Sequence, residues 1–485
     1  MSSPNLKDKT VSGMGWSAID SIASQGITFL VGLVLARLLS PIEFGTIGVA
    51  MIFVTLFNTI VDSGFSSALI RKLDVRDIDY NTTFIFNFVV SIILYAICYF
   101  GSPYIAEFFH NEDLVQVVRW ISIVLIINAI SIIQRTIFVK EINFKTQAKI
   151  SLFASLFSGV IGICMAFQGF GVFSLVGQQL SRQLSNTVLL WVNSKWRPKF
   201  VFSYKSFKDL FSFGGKLLLS SVIDTICGEL SIIFIGKIYT PATLGQYTRA
   251  KQFSSLFSSN LSAITQRVTY PVLSDLQNNE EQLIEYYRKM MKSLMLIVAI
   301  GTAIIAGCAK PIILILLGSK WTEAILYLQL LAFVEITVPI KNINLNLLQV
   351  YGRSDYILYL SIIKRIIEIG AITLGFIGLP WMIIGFAVAG VVGFLLNAFC
   401  TMKASGLRVC TQIKDLLPSL LLGCMIGVFM YITSYFLDNV YYGLIIQIAI
   451  GLFVFLYVDK IAKLEEYMVF KTLFSSYLKK ICNKL

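Results

Sequence analysis

Several ionisable side chains stand inside apolar stretches that are long enough to cross a lipid bilayer. Arg182 lies near the middle of one stretch, flanked by Gln178 and Asn186, and Lys341 lies in another beside three asparagines. An ionised group at mid-depth costs roughly 2.5–3.5 kcal/mol, so such residues are functional candidates by default. Basic groups neutralise phosphate, and amides both donate to and accept from sugar hydroxyls. The pattern predicts a large ligand with phosphate and many hydroxyl groups.

The predicted substrate-binding residues come from several predicted helices. They are four bases and two amides: Arg182, Arg249, Lys341, Arg365, Gln178 and Asn186. Two of the bases also have a structural interpretation. Glu368 follows Arg365 by three residues and Lys364 by four, so this cluster can be a neutralised packing element. Arg249 can extend its side chain to the edge of the bilayer.

Five acidic residues also fall in predicted spans. Asp224, Glu229 and Glu335 are the candidates for coupling transport to a cation. Each is expected either to pair with a base or to take a proton or Na⁺. Asp20 is a fourth acid, and Asp62 lies near the inner end of its span, which favours a helix-end role. No cofactor is expected beyond the coupling ion.

Motifs for nucleotide-driven or hydrolytic chemistry are missing from the sequence. It contains no Walker A motif and no GxGxxG after a strand. His110 is the single histidine, and none of the eight cysteines forms a CxxC pair, so neither a metal site nor a Ser-His-Asp triad is expected. The sequence therefore predicts a transporter rather than an enzyme.

Composition indicates an all-α integral membrane protein. The chain has 485 residues, of which 56% are hydrophobic and 14% charged, against about 25% charged in soluble proteins. Apolar runs of about 20 residues predict roughly fourteen transmembrane helices. The net charge of +13 concentrates in alternate loops, one of which is predicted to hold Arg135. This is the positive-inside pattern rather than a nucleic-acid surface, and it predicts that both termini are cytoplasmic.

One stretch of the sequence occurs twice, 200 residues apart. Ala36–Ala50 (ARLLSPIEFGTIGVA) matches Gly236–Ala250 (GKIYTPATLGQYTRA) at a basic residue, a Ser/Thr-Pro turn and the following glycine. The match predicts an internal duplication. It favours two six-helix lobes related by a pseudo-twofold axis along the membrane normal, with the substrate site between repeats.

The predicted domain organisation follows from this repeat. It comprises an N-terminal six-helix lobe (1–194), a cytoplasmic amphipathic linker expected to form an interfacial helix (195–212), a C-terminal six-helix lobe (213–404), two additional transmembrane helices (405–460) and a basic amphipathic cytoplasmic tail (461–485).

The repeated stretch and four further motifs give the chain a family resemblance. The motifs are DSGFSSA at 62–68, YPVLSDLQ at 270–277, LGSKW at 317–321 and YGR at 351–353. Together they resemble the polysaccharide-transporter (Wzx-like, colanic-acid-exporter-type) flippases of the multidrug/oligosaccharidyl-lipid/polysaccharide exporter superfamily. The resemblance implies an alternating-access flippase in the bacterial cytoplasmic membrane for undecaprenyl-diphosphate-linked oligosaccharides. It also implies that the last two helices border a groove for the lipid tail.

Other functions stay open from the sequence. A multidrug or cation antiporter of the same superfamily would have a cavity dominated by acids, whereas bases are at least as prominent here. A glycan polymerase would need a large external loop, and every predicted outer loop is short. A non-catalytic component of a glycan assembly complex is the third alternative. Partners expected for the flippase are the lipid-linked oligosaccharide, membrane lipids and polysaccharide polymerase or assembly proteins, with no nucleic acid.

Overall fold

The computed structural model describes the backbone of residues 4–62, 64–72, 74–436 and 439–462, and most side chains between residues 20 and 455. Every regular element in that part of the chain is helical. Almost all of the predicted tail at 461–485 lies outside the described residues. The chain divides into two compact units, Met1–Gly245 and Gln246–Leu485.

The first unit is built from nine helices in its described residues. They are α1 (Pro4–Leu38), α2 (Pro41–Asp62), α3 (Phe65–Arg71), α4 (Asp77–Phe109), α5 (Asp113–Ile121), α6 (Ile123–Lys140), α7 (Phe144–Phe167), α8 (Val172–Asn193) and α9 (Tyr204–Ile238). Within it α1 and α8 pack against α7, α6 packs against α4 and α8, and α9 packs against α2, α3 and α4.

The second unit contains most of α10, which begins at Pro241, and all later helices. They are α10 (Pro241–Asp275), α11 (Glu280–Gly307), α12 (Ala309–Leu316), α13 (Glu323–Glu335), α14 (Thr337–Val350), α15 (Ser354–Thr373), α16 (Leu379–Ser405), α17 (Val409–Phe436) and α18 (Val440–Ala462). Two short 3₁₀ turns lie at Ser319–Trp321 and Leu374–Phe376.

Ten helices in the described part of the chain are long and apolar enough to cross a membrane. Three of these ten candidate spans each combine two consecutive helices: α2 with α3, α5 with α6, and α13 with α14. The all-helical membrane fold predicted from composition is therefore confirmed. Three helices outside this set, α8, α10 and α15, carry Arg182, Arg249 and Arg365, and these charged residues lower their hydropathy. The count of fourteen crossings stays a prediction.

The two copies of the repeated stretch have the same local structure. α1 ends at Leu38 and α2 begins at Pro41, while α9 ends at Ile238 and α10 begins at Pro241. Proline is suited to the first helical position because its missing N–H has no acceptor there and its φ is already helical. Each helix start is also capped. Ser40 binds the Glu43 carboxylate, and the Thr240 hydroxyl accepts from the N–H of Thr243 at 3.2 Å.

The glycines of the two copies meet within the first unit. A Cβ added at Gly45 would lie 1.8 Å from the Pro241 carbonyl oxygen, and one added at Gly245 would lie 1.9 Å from the Pro41 carbonyl oxygen. No side chain fits such gaps, so only glycine allows the backbones to approach this closely. The duplicated sequence therefore produces a reciprocal backbone contact at these helix starts.

The segment predicted as an interfacial helix at 195–212 has a different structure. Residues 195–203 are non-helical, and 204–212 form the beginning of the long helix α9. Pro198 lacks a backbone donor, and the N–H groups of Lys199 and Ser203 are bound by Asn81 Oδ1 at 2.7 Å and Thr82 Oγ1 at 3.1 Å. These side chains on α4 satisfy the backbone in place of helical hydrogen bonds.

The first of the two additional C-terminal helices is held firmly in the second unit. Arg288 on α11 donates two hydrogen bonds to Asp415 on α17, at 2.7 and 2.8 Å, and the pair is bidentate. Next to it the fully buried Tyr287 hydroxyl lies 2.8 Å from Asn344 Oδ1 and 3.2 Å from Gln412 Oε1. Charge-assisted bidentate pairs fix orientation as well as adding stability, so α17 is an integral part of this unit.

Gly45→Ala and Gly245→Ala should each destabilise the protein. The added methyl group has to displace a backbone carbonyl, and overpacking of this kind costs about 1–3 kcal/mol. Gly26→Ala on α1 is the matched control, because a Cβ there meets no atom within 4 Å. Thermal unfolding of the detergent-solubilised protein should show a lower Tm for the first two variants only. Equal Tm values for all three would contradict the close contact.

Candidate functional site

A polar cavity of about 410 Å³ lies among α1, α6, α7 and α8 of the first unit. Its lining is mostly polar, although α1, α6 and α7 belong to apolar spans. The lining residues are Asp20, Arg135, Val139, Gln147, Ser151, Ala154, Gln179, Arg182, Gln183, Asn186 and Leu190. Pockets that bind small molecules usually measure about 300–1,000 Å³, so the volume suits a ligand of sugar-phosphate size.

A second cavity, of about 680 Å³, adjoins the first within the same unit. Hydroxyl and amide side chains dominate its polar lining: Thr55, Asn58, Thr59, Ser66, Ser67, Asn128, Thr136, Ser221 and Thr225. Asp62 and Arg135 are its charged residues, and Arg135 and Val139 line both cavities. The two cavities together form a polar hollow, by which we mean the residues lining either one.

Arg135 is a site residue that the sequence analysis missed, since it was counted in an inner loop. In the structure it lies on α6, five residues before the helix ends at Lys140, or about 7.5 Å along the axis. The signal that could have found it is the apolar run that continues through Ile137, Phe138 and Val139. That run keeps Arg135 within the span and places its charge in the hollow.

The guanidinium groups of Arg135 and Arg182 have unused hydrogen-bonding capacity. Neither side chain makes a hydrogen bond or an ion pair with any residue that the structure describes. A guanidinium carries five N–H donors in a planar fork that fits phosphate or carboxylate oxygens. Both sets of donors in this hollow are therefore open to water or an anionic ligand.

The two carboxylates of the hollow, in contrast, have partners. Asp20 Oδ1 accepts from Ser24 Oγ at 2.9 Å, and Ser24 in turn contacts Ser151 Oγ at 2.8 Å. Asp62 Oδ1 accepts from Ser66 Oγ. Asp62 is the last residue of α2, at the helix end where the sequence analysis placed it, and it also lines the larger cavity. The side chains left open to a ligand are the basic ones.

Amide hydrogen bonds fix the helices around the hollow. Asn128 on α6 donates to Asn58 on α2 at 2.9 Å and accepts from Gln183 on α8 at 3.0 Å. One turn further along α8, Thr187 donates to the carbonyl of Ile127 at 3.2 Å. In a membrane each of these polar groups needs a partner inside the protein, so the chain of amides holds α2, α6 and α8 in register.

The other predicted site residues of α8 divide between two faces. Asn186 lines the 410 Å³ cavity together with Gln179 and Gln183. Gln178 does not line it, because its side chain lies on α7, where a Cβ at Gly162 would stand 2.9 Å from Gln178 Cβ. Successive helical residues point about 100° apart, so Gln179 faces the cavity and Gln178 does not.

The remaining predicted bases lie in the second unit. Arg249 on α10 donates to Gln252, and Arg365 on α15 donates to Glu368 at 3.0 Å. The structural interpretation of the Arg365–Glu368 pair therefore applies. Lys341 on α14 lies within electrostatic range of Glu335, Glu368 and Arg365, without a hydrogen bond from its ammonium group to any described residue.

The three candidate coupling acids are divided between the units. Asp224 and Glu229 lie on α9 in the first unit, where Asp224 is exposed and Glu229 half-buried. Glu335 lies on α13 in the second unit, accepts a hydrogen bond from Ser258 and has Lys251 and Lys341 nearby. Glu335 therefore has a serine as its hydrogen-bond partner and two lysines within electrostatic range, and the coupling role of the three acids stays a prediction. Among the residues that the structure describes, no three His, Cys, Asp or Glu side chains are grouped as metal ligands.

An apolar groove runs along the second unit. Two adjoining cavities of about 330 and 570 Å³ share Phe333, Ile336, Leu420 and Cys424. Their walls come from α11, α13, α14, α16 and α17 and are almost wholly hydrocarbon. The lining matches a hydrocarbon chain in chemistry, because it offers van der Waals contacts and almost no polar groups.

Comparison with known families decides the classification. Residues 34–326, more than half of the chain, match the family described as "Polysaccharide biosynthesis protein". The chain belongs to this polysaccharide biosynthesis protein family. The matched region contains both copies of the repeated stretch and the whole polar hollow of the first unit except Asp20.

Members of the family and related proteins resemble the chain along most of its length. The teichuronic acid biosynthesis protein TuaB of Bacillus subtilis is 25% identical over 94% of this chain and 96% of its own. The lipopolysaccharide biosynthesis protein WzxC of Escherichia coli is 23% identical over 82% of each chain. The succinoglycan biosynthesis transport protein ExoT of Rhizobium meliloti is 24% identical over 77% and 76%.

Two solved structures share the fold. The lipid II flippase MurJ, in an inward closed conformation, has a TM-score of 0.71 at 16% identity and covers 92% of this chain and 98% of its own. An inward-facing multidrug transporter of the MATE family has a TM-score of 0.57 at 17% identity and covers 79% and 99%. Both similarities concern the fold. The predicted family is therefore confirmed by the family match.

Water should reach the polar hollow but not the outer face of α8. In a cysteine-free background, Gln179→Cys and Asn186→Cys should react with a charged, membrane-impermeant thiol reagent, because thiolates form only in contact with water. Leu184→Cys on the same helix is the control, since Leu184 is 53% exposed on the apolar surface. It should remain unlabelled in membranes. Labelling of position 184 with protection of 179 and 186 would reverse our assignment of the helix faces.

Proposed function

We propose that the chain is a flippase that moves lipid-linked oligosaccharide repeat units across the cytoplasmic membrane for the synthesis of a polysaccharide. The observation that carries the proposal is the pair of guanidinium groups, Arg135 and Arg182, that stand without hydrogen-bond partners among the described residues, in a polar hollow inside apolar helices. The family assignment and the similarity to polysaccharide biosynthesis and transport proteins support it. The carrier in this proposal is undecaprenyl diphosphate.

In this proposal the diphosphate and the sugars of the headgroup contact different side chains. The diphosphate binds Arg135 and Arg182, which replace the water it loses on entering the membrane. The sugars contact the hydroxyls and amides of the larger cavity, where each side chain can donate to or accept from a sugar hydroxyl. Arg135 lines both cavities, so it stands where phosphate and first sugar meet.

The polyprenyl tail has a separate requirement, because hydrocarbon gains nothing from a polar hollow. We place part of it in the apolar groove of the second unit, beside Phe333 and Leu420. α17 forms one wall of that groove, as expected if the C-terminal helices contribute to lipid binding. The rest of the tail stays in the bilayer. Only the polar headgroup has to cross the membrane through the protein.

The finer architecture belongs to the same proposal. Fourteen crossings, with both termini in the cytoplasm, would form two six-helix lobes and a C-terminal pair, and alternating access would move the headgroup between leaflets. A proton or Na⁺ taken up by Asp224, Glu229 or Glu335 would couple the cycle to an ion gradient. Polysaccharide polymerase or assembly proteins would receive the product at the outer leaflet.

A multidrug or cation antiporter is the main alternative. It needs a cavity dominated by carboxylates, whereas the charged residues of the hollow are two carboxylates, Asp20 and Asp62, and two arginines. The open donors of the hollow are guanidinium groups, which repel cations. A non-catalytic membrane component would have no use for two arginines whose donors face a polar hollow, because ionised groups inside a membrane are costly.

Arg135→Gln and Arg182→Gln should lower the export of polymer in a strain that depends on this chain. Each removes charge-assisted hydrogen bonds to phosphate worth about 1.5–3 kcal/mol, so transport should fall roughly tenfold to a hundredfold. Lipid-linked repeat units, extracted and quantified by mass spectrometry, should accumulate, and the same result is expected for a deletion strain.

Two control variants make this test specific. Arg408→Gln removes an exposed arginine from the connection before α17 and should export normally. Arg182→Lys keeps the charge without the planar fork and should export at an intermediate level. Normal export by both glutamine variants, at wild-type protein abundance, would remove the two arginines from the mechanism.

Val391→Trp on α16 should weaken binding of the carrier by filling the apolar groove. Losing about ten carbon–carbon contacts of the tail, at about 0.1–0.2 kcal/mol each, corresponds to roughly a tenfold weaker affinity. Ile366→Trp is the control, because Ile366 is exposed on α15 outside the groove. Binding is measured with a fluorescent polyprenyl diphosphate and purified protein. Equal affinity of the two variants would exclude the groove as the tail site.

A further inference from the structure

The loop that connects α8 to α9 in the first unit has an apolar, exposed centre. Phe200, Val201 and Phe202 are 91%, 51% and 48% exposed, and we call these three residues the apolar tip. The backbone on either side of the tip is fixed, because the N–H groups of Lys199 and Ser203 donate to side chains of α4. The loop therefore holds three large apolar side chains on the surface of the protein.

Basic residues surround the apolar tip in the sequence. Arg197 donates to carbonyl groups at the end of α8, so its guanidinium group is already used. Asp209 is the one acid between residues 195 and 209. The remaining bases are four exposed lysines whose ammonium groups make no hydrogen bond or ion pair with any residue that the structure describes: Lys195, Lys199, Lys205 and Lys208. Their charges are available to an external anion.

The length of α9 places this loop at the surface of the bilayer. α9 has 35 residues and is one of the candidate spans, so it measures about 52 Å along its axis. A bilayer has a hydrocarbon core of about 30 Å and measures about 40–45 Å with its headgroups. The excess length lies at the Tyr204 end, because the charged residues of the first two turns stay out of hydrocarbon. The loop therefore lies at the depth of the lipid headgroups.

The apolar tip and the lysines together match an anionic lipid surface. Apolar side chains gain free energy by leaving water, and the acyl chains below the headgroups can take them up. A group of basic residues beside a membrane span attracts anionic lipids. An acidic protein in solution would account for the lysines, but not for exposed phenylalanine rings at the depth of the headgroups.

We propose that residues 195–208 form a binding site for anionic phospholipids of the surrounding leaflet. Phe200 and Phe202 insert between the acyl chains, and the four lysines bind lipid phosphate groups. None of these residues lines the polar hollow, so the site is separate from the one that we assign to the transported headgroup. The bound lipids anchor the beginning of α9 and, through the contacts of the loop with Asn81 and Thr82, the beginning of α4.

The test measures which lipids surround position 200 in nanodiscs that contain the purified full-length protein. Phe200→Cys in a cysteine-free background is labelled with bimane, an apolar fluorophore. Its quenching by spin-labelled phosphatidylglycerol is compared with that by spin-labelled phosphatidylcholine at the same mole fraction. Phosphatidylglycerol should quench at least about twofold more strongly, because each lysine near an anionic surface favours binding about fivefold. Leu184→Cys on α8, exposed on the apolar surface, is the control, and both lipids should quench it equally.

Removal of the four lysine charges should abolish the lipid preference at position 200. Replacing all four lysines by glutamine should bring the ratio of the two quenching values to about one. Lys289→Gln, which removes an exposed lysine on α11, should leave the ratio unchanged. Raising the NaCl concentration from about 0.1 M to about 1 M shortens the Debye length from about 10 Å to about 3 Å and should abolish the preference without any substitution.

Three results would overturn the inference. They are equal quenching of position 200 by the two lipids when the lysines are present, quenching by neither lipid, and a preference that persists in the glutamine variant or at high salt. None of these measurements involves transport, so they leave the proposed function untouched whichever result is obtained.

Discussion

The cost of an ionised side chain in hydrocarbon is the constraint on which the rest of this structure depends. A guanidinium group inside a bilayer must face water, a counter-ion or a ligand, because lipid provides none of these. Arg135 and Arg182 therefore require the polar hollow, and the hollow requires the amide chain of Asn58, Asn128 and Gln183 that holds its helices in place. The arginines and amides that interrupt the apolar sequence therefore belong to one structure, the polar hollow and the hydrogen bonds around it.

Much of the fold could be predicted because its causes are local. Length and hydropathy predict the helices, and a Ser/Thr-Pro turn predicts where α2 and α10 begin, at Pro41 and Pro241. The equal spacing of the two copies is visible in the sequence alone. Their reciprocal contact is not visible there, because the close approach of Gly45 to the Pro241 carbonyl depends on how separate helices cross. The sequence shows a glycine at both positions but does not show which residue each glycine contacts.

The site was harder to predict because it depends on how each helix is rotated about its axis. A rotation of about 100° separates neighbours such as Gln178 and Gln179, which face different surroundings. Charge counting placed Arg135 in a loop, since the positive-inside rule does not distinguish a loop residue from one slightly inside a span. The pairing of Glu368 could not be predicted either, because Lys364 and Arg365 both lie within its reach in the sequence. In the structure Arg365 donates to Glu368.

Transbilayer movement of a lipid-linked oligosaccharide in reconstituted vesicles tests the central claim most directly. The vesicles contain the purified protein and a fluorescent polyprenyl-diphosphate oligosaccharide, and a membrane-impermeant glycosidase reports the fraction that has reached the outer leaflet. Our account predicts movement well above that in protein-free vesicles, and a return to the protein-free rate when Arg135 and Arg182 are both replaced by glutamine. Movement no faster than in protein-free vesicles with the wild-type protein, or undiminished movement with the double variant, would contradict it.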